Sequence, residues 1–378
     1  MPDIIHFTTV HSRGDTRIAV KEVATLAERL EQTVALYVQD GLGDETNETH
    51  GYAVHDTGPR PKGRFSRMVV GGWRMYHAVR RVKPKIAHFH DPELIPYAAL
   101  LRLSGIKIVY DAHENIELQV LHKPYLPSWI KRLLSRVLAI TEGLAMRWFD
   151  ATVAVLEELV RKRPGQNKIT VTNFPVLSEF DDFLQHDRCV REPRFVYMGG
   201  ITQPRGALEM VQAMAHVKSN DATLALMGKF DTNALESKAR SSKGWDRVDF
   251  KGWSSRDIVA AECARACAGV AVLHPTPQYV TWYPVKMFEY MAAGLPVIAS
   301  NFPLWVELFA EYKCGLNVDP HDPVAIAEAM DWMLANPEEA VAMGQRGRAA
   351  VEAVYNWEPE AQKLIDLYQK LLAEPSIT

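Results

Sequence analysis

The sequence predicts an α/β protein built from two doubly wound parallel sheets, and three observations predict it. Apolar strand-like runs alternate with helix-like stretches from Ile4 onwards, as in a parallel sheet covered by helices on both faces. The 378 residues, 47% hydrophobic, exceed one ordinary domain and suffice for two full cores. Polar clusters rich in His, Asp, Glu and Gly follow several of the apolar runs, at the strand ends where such a sheet receives its ligand.

Composition narrows the classes further. Cys189, Cys263, Cys267 and Cys314 form no Cys-x-x-Cys pair, and Cys263 and Cys267, four apart on a predicted helix, read as core in a reducing cytoplasm. Met1 leads straight into an apolar run with no basic region before it, which predicts no signal peptide, and no run approaches ~18 apolar residues. The net charge of −3 conceals an asymmetry: residues 1–180 carry 24 Lys and Arg against 20 Asp and Glu, the remainder 19 against 26. The first half is the one suited to an anionic surface or acceptor.

In chain order, the strand Ile4–Thr9 ends near Val10 and passes through His11-Ser12-Arg13-Gly14-Asp15-Thr16-Arg17-Ile18 into an amphipathic helix through Leu30, with Asp15 or Thr16 as its cap. No Gly-x-Gly-x-x-Gly is present there, which weighs against a dinucleotide-binding dehydrogenase. From Arg60 to Lys85 the chain carries nine basic residues and no acidic one. Phe65, Met68, Val69, Trp73, Tyr76 and Val79 recur there at helical spacing, a pattern that suits an anionic membrane surface or lipid-diphosphate acceptor and equally a half-buried helix. No nucleic-acid module surrounds it, so no nucleic-acid partner is expected.

Strand Ile86–His90 runs into Asp91-Pro92-Glu93, and Lys107–Tyr110 runs into Asp111-Ala112-His113-Glu114-Asn115, two polar clusters that converge on one crevice. Lys123–Phe149 reads as surface helices, with Trp129, Leu133 and Val137 among Lys131, Arg132 and Arg136 making 128–147 a second candidate for membrane contact. Ala151–Val155 and Ile169–Thr172 close the first domain, and the polar stretch Leu177–Arg194 reads as a linker.

The second domain opens with strand Phe195–Met198 and the loop Gly199-Gly200-Ile201-Thr202-Gln203-Pro204-Arg205-Gly206, whose glycines admit a ligand close to the backbone and whose Arg205 suits phosphate oxygens. Ala222–Met227 reaches Gly228-Lys229, Val248–Phe250 reaches Lys251-Gly252-Trp253, and Gly269–His274 is a further buried strand. Pro284 then opens a helix, Val285–Ala292, whose free N–H groups bind anions. Lys286 adds a cation in its first turn, Glu289 lies one turn deeper on the same side, and Gly294 leads to the strand Pro296–Ser300. A helix end for phosphate, a lysine for its charge and a carboxylate for a vicinal diol describe a nucleoside-diphosphate site. Strand Gly315–Val318, helices from Pro323 and Pro337 and a last helix to Leu372 complete the chain.

The stretch Tyr283–Ser300, with its Pro-x-Lys-x-Phe-Glu-Tyr-Met-Ala motif, closely resembles the nucleotide-sugar segment of the retaining glycosyltransferases of the GT-B fold, family 4, and the resemblance extends over nearly the whole chain. It implies two Rossmann-like domains facing a cleft: an acceptor domain over 1–180, onto which the C-terminal helix 358–378 crosses back, and a nucleotide-sugar domain over 190–357. It implies that Glu289 holds the donor's ribose hydroxyls and that the helix start at Val285, with Lys286 and Arg205, takes the diphosphate. Asp15 and Arg17 would approach the diphosphate and donor sugar, with Gly199, Gly200, Lys229, Trp253, Thr281 and Tyr283 completing the donor site. His113 would act beside the reacting carbon, and Asp91 and Glu114 would orient it or hold the acceptor.

Two departures stand out. Gly200 occupies the family's usual arginine position, with Arg205 at the lysine, and Thr281 stands where relatives carry the first of two glutamates eight residues apart. The resemblance implies transfer of a sugar from a UDP- or GDP-sugar to a hydroxyl of a glycan, lipid-linked and destined for cell-surface polysaccharide, by a cytoplasmic protein peripheral to the membrane. No Asp-x-Asp occurs, and no cofactor or metal is expected. A UDP-sugar 2-epimerase of GT-B fold and a non-catalytic nucleotide-sugar-binding scaffold are the alternative readings.

Overall fold

A computed structural model describes residues 1–112, 127–157, 161, 165–185 and 192–375. The chain divides into two compact units, Met1–Asn173 together with Trp357–Thr378, and Phe174–Asn356. Each is an α/β unit on its own sheet, as the alternating pattern predicts.

The first unit contains β1 (Ile4–Phe7), β2 (Val34–Val38), β3 (Glu45–Asn47), β4 (Tyr52–Asp56), β5 (Ile86–Phe89), β6 (Lys107–Ala112), β7 (Ala151–Ala154) and β8 (Lys168–Thr170), in the order β3-β4-β2-β1-β5-β6-β7-β8. All neighbours are parallel except β3 against β4. β1, β2, β5, β6 and β7 are buried throughout, because helices cover both faces of a parallel sheet and each strand must be apolar on both sides. The second unit contains β9 (Arg194–Met198), β10 (Thr223–Met227), β11 (Val248–Gly252), β12 (Ala268–Ala271), β13 (Val297–Ser300) and β14 (Gly315–Val318), all parallel, in the order β11-β10-β9-β12-β13-β14.

Each order has one point where the winding reverses, between β1 and β5 in the first sheet and between β9 and β12 in the second. At such a point the connections leave to opposite sides and open a crevice beyond the carboxyl ends of the strands. The C-terminal helix Trp357–Ala373 packs on the first unit, where Trp357 Nε1 donates to Thr25 Oγ1 at 2.8 Å and Lys107 Nζ donates to the Leu371 carbonyl at 2.5 Å.

Three local readings change. The helix after β1 begins as a π-helix, Thr16–Val23, before continuing as the α-helix Ala24–Arg29. The basic stretch is not one helix but a turn at Arg64–Ser66, a π-helical Arg67–Gly71 and the α-helix Gly72–Val82, which buries Met75, Tyr76 and Val79. The stretch read as a linker begins with a 3₁₀ helix, Leu177–Gln185. Residues three apart eclipse one another in that geometry, so Leu177 and Phe180 share a face and pack on the second unit's core. Strands β2, β3 and β4 are additions to the elements read from sequence.

Candidate functional site

At the crevice between β9 and β12, Gly199, Gly200, Arg205 and Lys286, four of the residues expected from sequence at the donor site, lie together. β9 ends at Met198, and the loop after it turns at Gly199 with φ +114° and leaves through Gly206 at φ +69°. A Cβ on Gly206 would lie 2.0 Å from the Val272 carbonyl oxygen, and one on Gly228 would lie 1.9 Å from that of Gly199, so only glycine fits either place. This close packing lays the loop across the ends of β10 and β12.

Into this loop points the helix Val285–Ala292, which carries no side-chain cap at its N-terminus. Its Lys286 is buried, and the ammonium has no hydrogen-bond partner, lying 3.7 Å from the centroid of the Tyr197 ring. Arg205 stands on the other side of the same space: a Cβ on Gly199 would meet Lys286 Nζ at 3.5 Å and Arg205 Nη1 at 3.8 Å. Arg205 donates to the Gly200 carbonyl at 3.4 Å and to the Tyr279 hydroxyl at 3.5 Å, both uncharged acceptors that leave its positive charge in place. Burial, followed by repulsion from Arg205, pushes the Lys286 ammonium far below the usual lysine value, with Glu289 offsetting only part. Two basic side chains held together beside an uncapped helix end suit an anionic group.

The departure at Gly200 has a steric account. A Cβ there would lie 3.1 Å from Arg205 Nη1, so a side chain at 200 and the present position of the Arg205 guanidinium compete for one space. Glu289 is buried one turn into the helix, and its Oε1 accepts from Arg256 Nη1 at 2.8 Å. Arg256 also pairs with Glu179, so it braces the carboxylate from behind; sequence reading passed over it because it lies 33 positions from Glu289. Thr281 is exposed and donates to the Pro277 and Gln278 carbonyls, holding its own turn. The Tyr283 hydroxyl is taken up by the Leu304 carbonyl at 3.2 Å. Val285 is half-buried in the helix's first position, Lys229 is exposed beyond β10, and Trp253 stands 82% exposed beyond β11.

In the first unit, the crevice between β1 and β5 is occupied by a dense polar network. Asp91 is buried and accepts from Thr8 Oγ1 at 2.8 Å and from the Thr9 N–H at 2.5 Å. Glu93 accepts from Thr9 Oγ1 and from both arms of Arg67, at 2.7 Å each. Asp15 caps the π-helix through the N–H groups of Arg17 and Ile18 at 3.0 Å and pairs with His11 at 3.0 Å. Burial opposes its charge, but the His11 and backbone hydrogen bonds outweigh that and hold its pKa at about 2.

Arg17 is not open to a ligand: it is buried, gripping Asp111 with two bonds of 2.9 and 2.8 Å and the Val171 carbonyl at 2.8 Å. The π-helical turn has brought Arg17 and Glu22, five apart, to the same side, with Nε 3.1 Å from Glu22 Oε1. His113 and Glu114 lie outside the described residues.

Apolar side chains also stand on the surface of this unit, Phe65 at 79% exposure and Trp73 at 50%, with Trp129, Leu133 and Ile140 of the helix Ser128–Trp148. Among the described residues no helix is long and apolar enough to cross a membrane.

Comparison with known proteins gives matches in both units. The family described as "Glycosyl transferases group 1" matches residues 180–350, and "Glycosyltransferase Family 4" matches residues 18–162. A GDP-mannose-dependent alpha-(1-6)-phosphatidylinositol monomannoside mannosyltransferase of Mycobacterium tuberculosis is 34% identical over 184 residues, 47% of this chain and 48% of that protein. The matched part thus spans less than half of that curated relative, and a quarter of another. Among solved structures, a sucrose-phosphate synthase from Thermosynechococcus elongatus superposes with a TM-score of 0.76 at 19% identity, covering 98% of this chain and 99% of that one. Anabaena HepE, in complex with UDP and glucose, does so with a TM-score of 0.70 at 12% identity, covering 98% and 100%. At these identities the structural likeness concerns the fold.

Proposed function

Because the chain belongs to the family 4, group 1 glycosyltransferases of GT-B fold, we propose that it moves a glycosyl group from a UDP- or GDP-sugar to a hydroxyl of a glycan acceptor, with retention and without a metal at the transfer site. The observation that carries this reading is the buried Lys286 ammonium, unpartnered beside Arg205 at the uncapped start of the helix Val285–Ala292. An ammonium without a partner in a protein interior is costly, and a site that keeps one is shaped for a counter-charge. A nucleoside diphosphate supplies it, and Glu289, braced by Arg256, keeps its second oxygen for a ribose diol.

The reaction breaks the bond between the anomeric carbon and the diphosphate through an oxocarbenium-like transition state. Negative charge grows on the departing phosphate, and Arg205, Lys286 and the helix N–H groups meet it at the place where it appears. The departing phosphate oxygen accepts the proton of the attacking hydroxyl on the same face, which retains configuration. His113 keeps the role on the sugar side that the resemblance implies.

Support for a lipid-linked acceptor and a peripheral membrane position comes from the exposed Phe65 and Trp73 among the basic residues of 60–85, and from the exposed face of 128–147. The donor is tested by thermal unfolding and calorimetry with UDP and GDP, each without added metal. One of them, at about 100 times its Kd, is expected to stabilise the fold by ~2.7 kcal/mol. No stabilisation by either, or binding abolished by a chelator and restored by Mg²⁺, refutes the proposal.

A further inference from the structure

The interior of the first unit holds a cluster that the proposed transfer leaves unused. His6 on β1, His88 on β5, His90 just beyond β5 and Glu22 of the π-helix are all buried, and one ligand-type atom from each lies within 4.8 Å of the others.

The surrounding hydrogen bonds set the tautomers in turn. His90 Nδ1 lies 3.0 Å from Asp111 Oδ2, a carboxylate that also receives two bonds from Arg17, so Nδ1 carries the hydrogen and Nε2 is a lone pair. His6 Nδ1, 3.1 Å from that lone pair, donates to it. His6 Nε2 then accepts from the Tyr368 hydroxyl at 2.9 Å, whose oxygen accepts from His88 Nδ1 at 2.8 Å. The chain of bonds leaves His88 Nε2 as a buried lone pair with no donor; Glu22 Oε1 is ion-paired with Arg17 Nε at 3.1 Å, and neither Glu22 oxygen has a hydrogen bond that meets ordinary geometry, so Oε2 is the one offered to the cluster.

We propose that this cluster is a buried site for a transition-metal ion of the Zn²⁺ type, ligated by His6 Nδ1, His88 Nε2, His90 Nε2 and Glu22. His6 Nδ1 stands 3.1 Å from His90 Nε2 and 3.9 Å from Glu22 Oε2. The edge of a tetrahedron with metal–ligand bonds of about 2.0 Å is about 3.3 Å, so small side-chain movements close the shell. The outer partners are those a metal site uses to orient imidazoles: Asp111 behind His90, and Tyr368 behind both His6 and His88. Binding moves one proton of His6 from Nδ1 to Nε2; the Tyr368 oxygen then accepts from both His6 and His88, and its own hydroxyl hydrogen rotates away from His6. Three imidazoles and one carboxylate select Zn²⁺ or Co²⁺ over Mg²⁺ or Ca²⁺. The ion would tie β1, β5, the π-helix and, through Tyr368, the C-terminal helix into one unit, a structural role separate from sugar transfer.

A second grouping, Glu209, His274 and His321 in the other unit, has an exposed member and serves as the control. The full chain, stripped with a chelator and dialysed, is titrated with Co²⁺. One equivalent is expected to give the visible absorption of tetrahedral cobalt, displaced by Zn²⁺, and Zn²⁺ is expected to raise the unfolding temperature. His88→Gln and Glu22→Gln should abolish the absorption, Tyr368→Phe should weaken cobalt binding roughly 10- to 100-fold, and His274→Gln should leave it intact. No tetrahedral absorption from the wild-type chain overturns the proposal whatever the variants do, and so does absorption that survives His88→Gln or disappears in His274→Gln.

Discussion

Replacing Lys286 by methionine removes the charge while keeping a chain of similar length and shape. In the free protein the ammonium is buried with no hydrogen-bond partner. A group left in that state costs ~1–3 kcal/mol, and its contact with the Tyr197 ring, 3.7 Å to the centroid, returns ~0.5–2 kcal/mol. The net expectation is a gain of ~1 kcal/mol for Lys286→Met without nucleotide, and the same ΔΔG moves the midpoint by ~2–4 °C for a unit of this size. Nucleotide binding should move the other way. A charged hydrogen bond to phosphate contributes ~1.5–3 kcal/mol, so the Kd for UDP or GDP should rise about 10- to 150-fold.

The pH dependence follows from the same group. Burial and Arg205 lower the folded-state pKa of Lys286 below its unfolded value, so between the two the unfolded chain binds more protons and wild-type stability rises with pH through that window. Lys286→Met should lack this rise. Diphosphate binding should raise the folded-state pKa of Lys286 again, so the rise in stability with pH should flatten when nucleotide is bound. A variant that melts at or below the wild-type temperature and binds nucleotide unchanged would refute the argument that Lys286 is kept for an anion.

Arg205→Ala, which removes the second cation, should lower turnover by roughly one to two decades; a loss under threefold in steady-state assays excludes it from the leaving-group site. Gly206→Ala places a methyl 2.0 Å from the Val272 carbonyl oxygen at φ +69°, and should destabilise the second unit by ~2–4 kcal/mol in denaturant titrations. An unchanged midpoint would mean the loop is not held where it stands. Phe65→Ser with Trp73→Ser should reduce co-sedimentation with anionic phosphatidylglycerol vesicles and leave nucleotide affinity unchanged. Equal binding by variant and wild type removes that surface from the membrane reading.

Much of this protein is legible in its sequence. Strands buried on both faces need mainly apolar runs, so β1, β5, β9, β12 and β13 stand out in the sequence, with His6, His88 and Arg194 among their polar members. The helix Val285–Ala292 is bounded by Pro284 at its start and Gly294 beyond its end, local signals that depend on no distant residue. Lys286 in its first turn is recognisable from the residue order alone as a cation in need of an anion, because a positive charge at a helix N-terminus is unfavourable without one.

Only the tertiary structure decided what those side chains face. Arg17 reads as a loop cation open to a donor, yet β1 and β6 each flank β5, and Asp111, 94 positions away, takes it. Glu289 acquires Arg256, Gly200 yields its space to Arg205, and His6, His88 and His90 meet because β1 and β5 are neighbours in the sheet. The π-helical turn that sets Arg17 beside Glu22 leaves no trace in an apolar periodicity, because its extra residue shifts the register only locally. Local propensity and burial are properties of a short stretch of sequence; the order in which strands enter a sheet, and hence which charges meet at its reversal point, is a property of the whole unit.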